Sequence, residues 1–393
     1  MDLERYRESI NLNRKLAEQI GFNPYYCKIE SGLDDPVLIE GQPFINLASN
    51  NYLGLAGDGR VKSAMIAAID KYGASLCGTP IATGNIDLFQ LTETKLADFV
   101  GLEAAILLPS CYQANNGLFG AIAGKEDLII VDHYAHSSLI QGIKAAGCKI
   151  RPFLHNNLEH LQKILKQTSG FRQVFIVTES VFSTEGSIAP FREIVDLAGQ
   201  FGAVPVIDDS HGIGVLGQSG RGILEEAGLT DFQGIYTASL GKALAGLGGM
   251  IAGNATIIEY LKYNCPHLIY STALPPASLA GILKVLEIIT TDFAELRTKL
   301  ILYKHQMEQA LKAAGLECRE SKAPITSIIA GNTAETLSLS RKFYHNGILT
   351  TPFVAPSVPV GEGRVRLIAG ANLKPETVQK AVSLIAKIGK TGG

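Results

Sequence analysis

Short apolar runs alternate with amphipathic helical stretches along the middle of the chain. The runs AAILL, DLIIV, VFIVT, AVPVI and GIYTA carry hardly any polar position on either face, and stretches such as PFREIVDLAGQFG lie between them. Such alternation predicts an α/β fold, in which a mainly parallel sheet is covered by helices on both faces. Right-handed crossovers would bring the carboxyl ends of these strands to one edge, where open α/β sheets bind their ligands.

The same patterns divide the chain into three predicted stretches. Residues 1–48 would hold an N-terminal amphipathic helix and short strands, and residues 49–285 would form the large α/β domain. Residues 286–393, which include the apolar runs PITSIIAG, ILTTPF and RVRLIAG, would form a smaller α+β domain. A chain of 393 residues is long enough for two or three such units with sizeable cores.

Composition narrows the class of protein. Lys plus Arg total 35 and Asp plus Glu total 37, so the net charge of −2 indicates no surface for nucleic acid. The six cysteines are far apart without C-x-x-C spacing, which favours a reduced enzyme over a zinc, redox or disulfide protein. The first residues form a charged helical pattern unlike a signal peptide, and no apolar run reaches the roughly 18 residues of a membrane span. A cytoplasmic protein is therefore expected.

One charged side chain, Lys242, lies among small and apolar residues in the segment TASLGKALAGLGG. An apolar setting disfavours the ammonium form. A neutral amine is what a lysine needs in order to bond to an aldehyde. A Gly-rich loop with one lysine directed to solvent would give the same pattern, so the neighbouring motifs must decide.

The segment AVPVIDDSHGIGVLG ends an apolar strand with Asp208, Asp209 and His211. Its GIGVLG portion matches G-x-G-x-x-G, but the glycines do not follow the strand directly and no acidic residue ends a second strand at the expected distance, which argues against a dinucleotide site. A metal site lacks a further protein ligand, and we expect none. A polar strand end at the surface is a third interpretation.

Two more strand ends carry chemistry at the same predicted edge. SCYQANNG follows AAILLPS and opens a helix, whose first N–H groups suit a phosphate. DHYAHSS follows DLIIV and brings His133 and His136 there. Pyridoxal phosphate requires a lysine for its aldehyde, a carboxylate for its ring nitrogen, a phosphate cradle and a flat group against its ring. The four motifs together predict this cofactor.

The sequence resembles the α-oxoamine synthases, which are fold-type-I enzymes dependent on pyridoxal phosphate. The resemblance covers essentially the whole chain and implies an acyltransferase that condenses a small amino acid with an acyl thioester, with loss of CO2, to give an α-amino ketone. It also implies a homodimer. The matching stretches are SNNYLGLA, LADFVGLEAAILLPSCYQAN, DHYAHSSLIQG, VTESVFSTEGSIAP, IDDSHGIGVLGQSGRG, SLGKALAGLGG, HLIYSTALPP and VPVGEGRVRL.

By this resemblance, Lys242 would hold the cofactor's aldehyde and remove the proton from the amino acid's α-carbon. Asp208 would pair with the ring nitrogen. His211 would bind the ring's 3-hydroxyl, with Ser183 close by, and His136 would stack on the ring.

The resemblance also implies how the phosphate is held. Cys111 and Tyr112 would offer backbone N–H groups, and Ser239 would join them. Ser271 and Thr272 would reach the phosphate of the neighbouring subunit's cofactor.

For the substrate, the resemblance implies that Arg366 clamps the amino-acid carboxylate, a task suited to a planar bidentate guanidinium. Asn51 would contact the amino-acid or acyl portion. Glu179 would lie with the cofactor-binding residues or contact the substrate.

The chain departs from the family at a Gly-rich turn. Pro80 stands near the position of a usual arginine, Phe89 stands at that of a histidine, and Asn372 lies near that of another histidine. Pro80 and Phe89 would remove charge and add apolar surface on the acyl side, which favours medium or long apolar acyl chains over acetyl or dicarboxylic donors.

Several members of the family remain open as models. DDSHGIGVLG and HLIYSTALPP favour an enzyme like 8-amino-7-oxononanoate synthase, whereas NPYYCKIESG and YGAS are closer to serine palmitoyltransferases. An enzyme like 2-amino-3-ketobutyrate CoA ligase and a fold-type-I aminotransferase are further alternatives, and the donor could be an acyl-CoA or an acyl carrier protein. A non-enzymatic partner subunit is disfavoured because Lys242, Asp208 and His211 are all present.

Overall fold

The computed structural model describes residues 1, 3–8, 12–33 and 35–390. Its strands are, in chain order, β1 (Val37–Ile39), β2 (Gln42–Asn46), β3 (Ala104–Leu108), β4 (Leu128–Asp132), β5 (Lys149–Phe153), β6 (Val174–Glu179), β7 (Val204–Asp208), β8 (Ile235–Ser239), β9 (Gly249–Gly253), β10 (Cys318–Arg319), β11 (Thr326–Gly331), β12 (Ile348–Leu349), β13 (Thr351–Phe353) and β14 (Gly363–Leu367).

Helices connect most of these strands. They are α1 (Leu3–Glu8), α2 (Leu12–Ile20), α3 (Gly59–Tyr72), α4 (Asp87–Val100), α5 (Cys111–Ile122), α6 (Ser137–Ala146), α7 (Leu158–Leu165), α8 (Phe191–Phe201), α9 (Ile223–Glu226), α10 (Ala255–Asn264), α11 (Pro266–Ile269), α12 (Pro276–Ala313), α13 (Thr333–His345) and α14 (Pro375–Lys390), with a 3-10 helix at Leu55–Gly57 and a π-helical turn at Pro80–Gly84. Among the described residues, each helix is either too short or too polar to traverse a bilayer.

One compact unit, formed by residues 58–183 and 188–296, contains a sheet that has seven strands in the described chain. Their order is β3-β9-β8-β7-β6-β4-β5. Only β9 among these described strands runs antiparallel to its neighbours, so the prediction of a mainly parallel sheet is confirmed. The carboxyl ends of β3, β4, β6, β7 and β8 therefore lie along one edge.

The apolar runs form the core of this unit. All residues of β4, β6 and β9 are buried, so both faces of the sheet are covered. Ile129, Val131, Val177 and Val206 pack in one cluster with Leu118 of α5. The sequence pattern predicts no strand at β9. The connection from β8 to β9 is only residues 240–248, too short for a helical crossover, which explains the antiparallel direction.

The second compact unit consists of residues 1–57, 184–187 and 297–393. Its antiparallel sheet has the order β10-β11-β14-β13, and a smaller sheet has the order β1-β2-β12. Residues from both ends of the chain, including Leu47, Met307, Val365 and Ile385, share its core. The domain boundaries expected at 48/49 and 285/286 stay a prediction.

Candidate active site

The strand ends bring the predicted side chains of the first unit together. Glu179 ends β6 and lies directly beside Asp208, which ends β7. Asp208 in turn lies beside Thr237 of β8, whose last residue is Ser239. Cys111 begins α5 after β3, and His136 is the N-cap residue of α6 after β4.

The two adjacent aspartates have different surroundings. Asp208 is 4% exposed, and its Oδ2 and Oδ1 accept hydrogen bonds from Asn115 Nδ2 (2.7 Å) and from the Ser210 N–H (3.0 Å). Asp209 is fully buried, and its Oδ2 accepts from Tyr236 Oη (2.8 Å) and from the Ile223 N–H. Burial raises the pKa of Asp209 to about 7. Asp209 is thus enclosed by the fold, whereas Asp208 faces the residues predicted to bind the cofactor.

The start of α5 is held by the side chains of Ser110 and Ser210. Ser110 caps the helix by accepting from the Gln113 N–H (3.1 Å). Ser210 donates from its hydroxyl to Cys111 Sγ (3.3 Å) and accepts from the Ser239 N–H (2.9 Å). The first N–H groups of a helix, here those of Cys111 and Tyr112, have no partner within the helix and attract anions.

A close backbone approach and a neutral thiol complete this corner. A Cβ on Gly249 of β9 would lie 2.4 Å from the Cys111 nitrogen, so only glycine allows α5 to begin here. The pKa of Cys111 is raised, mainly by burial and further by the Asp208 charge. The thiol of Cys111 is therefore a packing group, and only its backbone N–H matches the predicted role.

His136 stands at the N-terminus of α6, with part of its side chain open to solvent. Its Nδ1 lies 2.8 Å from Ser138 Oγ and 3.2 Å from the Ser138 nitrogen. Its pKa is lowered, chiefly by partial burial and also by the Lys242 charge, against an opposing effect of Asp208. An imidazole that is neutral and partly open suits stacking on a flat ring.

Glu179 is buried beside these groups. Its Oε1 accepts from the His136 N–H (2.6 Å), which fixes the turn that carries the imidazole. Its pKa is raised well above the usual range, first by burial and then by Asp208, although Lys242 lowers it. Glu179 therefore positions the His136 turn in addition to any contact with a ligand.

Lys242 lies in a compact loop between β8 and β9. The loop is closed by hydrogen bonds from the Leu240 N–H to the Gly248 carbonyl and from the Gly246 N–H to the Leu240 carbonyl. Leu240, Ala243 and Leu244 are buried around it, which agrees with the apolar setting expected from the sequence. The charge of Lys242 acts on Cys111, His136 and Glu179, so its amine belongs to the same cluster.

The remaining predicted residues of this unit lie in adjoining loops. His211, 6% exposed, follows Asp208 in the turn after β7, and Ser183 follows β6 by four residues. Ser271 Oγ accepts from Gln113 Nε2 (3.3 Å) of the same chain, next to the start of α5. Thr272 is exposed.

Arg366 and Asn51 belong to the second unit. Arg366, 5% exposed on β14, places its guanidinium carbon 4.9 Å from the centre of the Phe353 ring. Burial lowers its pKa. Arg364 on the same strand forms ion pairs with Glu185 (2.9 Å) and Glu362 (3.2 Å). Asn51 Oδ1 accepts from the Ala56 N–H (3.3 Å).

The positions that depart from the family have different environments. Phe89 is 2% exposed on the inward face of α4, together with Glu93, Leu96 and Val100. The expectation that Phe89 adds apolar surface for an acyl chain is therefore wrong, because its ring is part of the core. Pro80, which begins the π-helical turn, is only partly buried. Asn372 packs against Gly54, whose Cβ would lie 2.4 Å from the Asn372 Cβ.

Three buried polar residues at this edge were not among the predicted site residues. Asn115 and Thr237 are fully buried, and Ser138 is 2% exposed. Asn115 could have been singled out, because it is a polar residue four positions after Cys111 on a face that is otherwise apolar. Among the described residues, no group of three His, Cys, Asp or Glu side chains is arranged to hold a metal ion.

Comparisons with known proteins cover nearly the whole chain. Residues 42–385 match the family described as aminotransferase class I and II. An 8-amino-7-oxononanoate synthase of Alkaliphilus oremlandii is 36% identical over 357 residues, which are 90% of this chain and 89% of that protein. A serine palmitoyltransferase of Sphingomonas wittichii is 26% identical with a TM-score of 0.94 and covers 100% of this chain and 98% of its own. A serine palmitoyltransferase from S. paucimobilis, 25% identical with a TM-score of 0.94 over 100% of this chain and 99% of its own, has PLP and myriocin bound.

Proposed function

Because the chain belongs to the aminotransferase class I and II family and, within it, to the α-oxoamine synthases, we propose that it condenses a small amino acid with an acyl thioester, releasing CO2 and an α-amino ketone. Its cofactor is pyridoxal 5'-phosphate. The observation that carries the proposal is the cluster of Asp208, Glu179, His136 and Lys242 beside the start of α5 at one sheet edge.

The residues at this edge fit the cofactor. A buried carboxylate, an open helix N-terminus with Ser239 nearby, and a partly open imidazole correspond to its ring nitrogen, its phosphate and its ring face. When bound, the cofactor supplies an aldehyde for a lysine amine and a ring that accepts the electron pair left at an amino acid's α-carbon.

The proposal gives each residue a task. Lys242 would hold the cofactor's aldehyde and would take the amino acid's α-proton on its Nζ. Asp208, whose carboxylate is fixed by two donated hydrogen bonds, would pair with the ring nitrogen. His136 would lie against the ring, and His211 with Ser183 would bind the 3-hydroxyl.

The phosphate and the substrate carboxylate are assigned to other groups. Cys111 and Tyr112 donate their N–H groups to the phosphate, and Ser239 donates its hydroxyl. Arg366 binds the amino-acid carboxylate through paired hydrogen bonds, assisted by Asn51. Burial strengthens such a charged pair, since water competes less for the guanidinium.

The acyl donor is proposed to be that of an enzyme like 8-amino-7-oxononanoate synthase, because such relatives have the higher sequence identity. A donor like that of serine palmitoyltransferase is the second candidate, supported by the superposition over the full chain. Delivery by CoA or by an acyl carrier protein, and a cytoplasmic location, belong to the proposal.

We also propose a homodimer, in which Ser271 and Thr272 reach the phosphate of the partner's cofactor. In the same unit, Ile81, Leu247 and Tyr270 are 56%, 53% and 82% exposed. Tyr270 directly precedes Ser271 in the chain, and a two-fold axis would use the same surface on both subunits.

The test is a panel of acetyl, octanoyl, palmitoyl and pimeloyl thioesters, each offered with glycine, alanine and serine. CO2 release and mass spectrometry of the product are the measurements. We expect an α-amino ketone, with the pimeloyl donor giving the highest kcat/KM. A highest value with palmitoyl and serine would favour the second candidate. Transamination without CO2 release would contradict the proposed function.

Variants at two lysines sharpen the experiment. Lys242→Ala should abolish condensation. Lys262→Ala should leave condensation intact, because Lys262 Nζ lies 3.7 Å from Glu93 Oε2 and is not one of the residues clustered around Asp208. Borohydride reduction of the loaded protein followed by peptide mapping should place the cofactor on Lys242. A label on Lys262 or Lys304 would overturn the assignment.

A further inference from the structure

Asn115 is a fully buried amide whose hydrogen-bonding groups all have partners on neighbouring elements. Its Nδ2 donates to Asp208 Oδ2 (2.7 Å) on β7 and to Ser138 Oγ (2.9 Å) on α6. Its Oδ1 accepts from Thr237 Oγ1 (2.8 Å) on β8. One side chain thus connects three elements at the edge where the candidate site lies.

The orientation of this amide follows from its partners. A carboxylate only accepts hydrogen bonds, so the NH2 group must face Asp208 and the oxygen must face the Thr237 hydroxyl. The geometry is rigid because α6 packs closely on α5. A Cβ on Gly142 of α6 would lie 2.5 Å from the backbone carbonyl oxygen of Asn115.

The next hydrogen bond joins Ser138 and His136. The Ser138 N–H donates to His136 Nδ1 at 3.2 Å, so Nδ1 is an acceptor. The Ser138 hydroxyl accepts from Asn115 Nδ2 and lies 2.8 Å from Nδ1, so it donates its own proton there. A ring nitrogen that accepts from two donors carries no proton, so the proton of neutral His136 lies on Nε2.

We propose that Asn115 is a positioning residue that fixes the carboxylate of Asp208 and, by donating to Ser138 Oγ, leaves the Ser138 proton for His136 Nδ1. This inference rests on the proposed function for its consequence, since that function places these two side chains against the cofactor. One amide would then position both the group that pairs with the ring nitrogen and the group that lies against the ring face.

The decisive variant is Asn115→Asp, whose carboxyl group has the shape of the amide but keeps at most one proton, shared with Asp208. Ser138 would then donate its proton to residue 115, and His136 Nδ1 would keep only the Ser138 N–H as a donor. Asn116→Asp is the matched control, because Asn116 Nδ2 donates only to the carbonyl oxygens of Tyr112 (3.0 Å) and Ser138 (2.9 Å) among its described hydrogen bonds.

Nitrogen NMR of histidine-labelled protein without cofactor reads the tautomer directly, with His136→Asn to assign the resonance. We expect the proton on Nε2 in all three proteins. The Nδ1 resonance should be displaced from that of the parent in Asn115→Asp, because Nδ1 loses the hydroxyl donor, and should be unchanged in Asn116→Asp. A parent protonated on Nδ1, or an Asn115→Asp variant identical to the parent, would overturn the inference. This readout needs no cofactor, so its failure is distinct from failure of the proposed function.

The second readout is the cofactor itself. The dissociation constant of pyridoxal phosphate should rise about tenfold or more in Asn115→Asp, since Asp208 then shares a proton with residue 115 and loses negative charge, and should stay within about twofold in Asn116→Asp. Nitrogen NMR of the bound ring should show the ring nitrogen losing its proton in the first variant only. Unchanged affinity and an unchanged ring nitrogen would count against the inference.

Thr237→Val is the second variant, in case Asn115→Asp does not fold. It keeps the shape of the side chain and removes only the hydroxyl that orients Asn115 Oδ1. The cofactor's dissociation constant should rise several-fold while the far-UV spectrum is unchanged. A dissociation constant equal to that of the parent would overturn the role assigned to the amide.

Discussion

The adjacent carboxyl groups of Asp208 and Asp209 lie on different sides of the strand end, so we expect them to have different functions. Asp208→Asn should still bind pyridoxal phosphate but should lower exchange of the amino acid's α-proton by about a thousandfold, because a preorganised charge partner is removed. Exchange is measured by NMR in deuterated water. A larger loss in Asp209→Asn than in Asp208→Asn would show that the two roles are reversed.

The protonation of Asp209 should affect the free energy of unfolding and make it depend on pH. Burial raises its pKa to about 7, so the folded protein keeps a proton that the unfolded chain has released. The parent should therefore lose stability relative to Asp209→Asn as pH rises from about 5 to about 7. Urea unfolding of both proteins at several pH values measures this difference, with Asp231→Asn, an exposed site, as the control. A parent that gains stability over this range would contradict the sign.

At the scale of elements, the start of α5 depends on Gly249 of β9. Gly249→Ala would bring a Cβ within 2.4 Å of the Cys111 nitrogen and should destabilise the protein by about 1–3 kcal/mol. It should also weaken cofactor binding, because the helix N-terminus must shift. Thermal unfolding and cofactor titration measure the two effects.

Gly120 on the same helix offers the matched control. A Cβ there meets nothing within 4 Å, so Gly120→Ala should stabilise the helix by about 0.5–1 kcal/mol and leave cofactor affinity unchanged. Equal behaviour of the two alanine variants would mean that the approach of β9 to α5 does not control the site.

Much of the sheet and its edge could be predicted, because strands buried on both faces and polar strand ends leave clear patterns. The pattern predicts Lys242, Asp208 and His136 at this edge, and the structure brings them close together, while their roles stay predictions. Which positions of an amphipathic helix are buried is harder to predict, and the expectation that Phe89 lies at a surface is wrong. Asn115 was missed because its importance arises from partners on β7, β8 and α6, which are far apart in the sequence.

For the whole molecule, the proposed dimer predicts complementation between inactive chains. Lys242→Ala lacks the covalent group, and a Ser271→Ala, Thr272→Ala double variant lacks the hydroxyls offered to the partner. If each active site contains residues of both subunits, mixing the two variants after mild dissociation of their dimers should give some mixed dimers in which one site has every group. Restored condensation activity is the measurement. Activity in a sedimenting monomer, or no gain on mixing, would argue against shared sites.

The smaller sheet contains a pairing whose partners are made at very different times. Ile45 of β2 lies opposite Ile348 of β12, and residues 1–57 share a compact unit with residues 297–393. A ribosome extends the chain at about 5–20 residues per second. The apolar side chains of β2 are therefore synthesised many seconds before β12, the strand that pairs with them. The other unit, whose residues end at position 296, can condense first, which makes the early N-terminal segment the part of the nascent chain with most to gain from a chaperone.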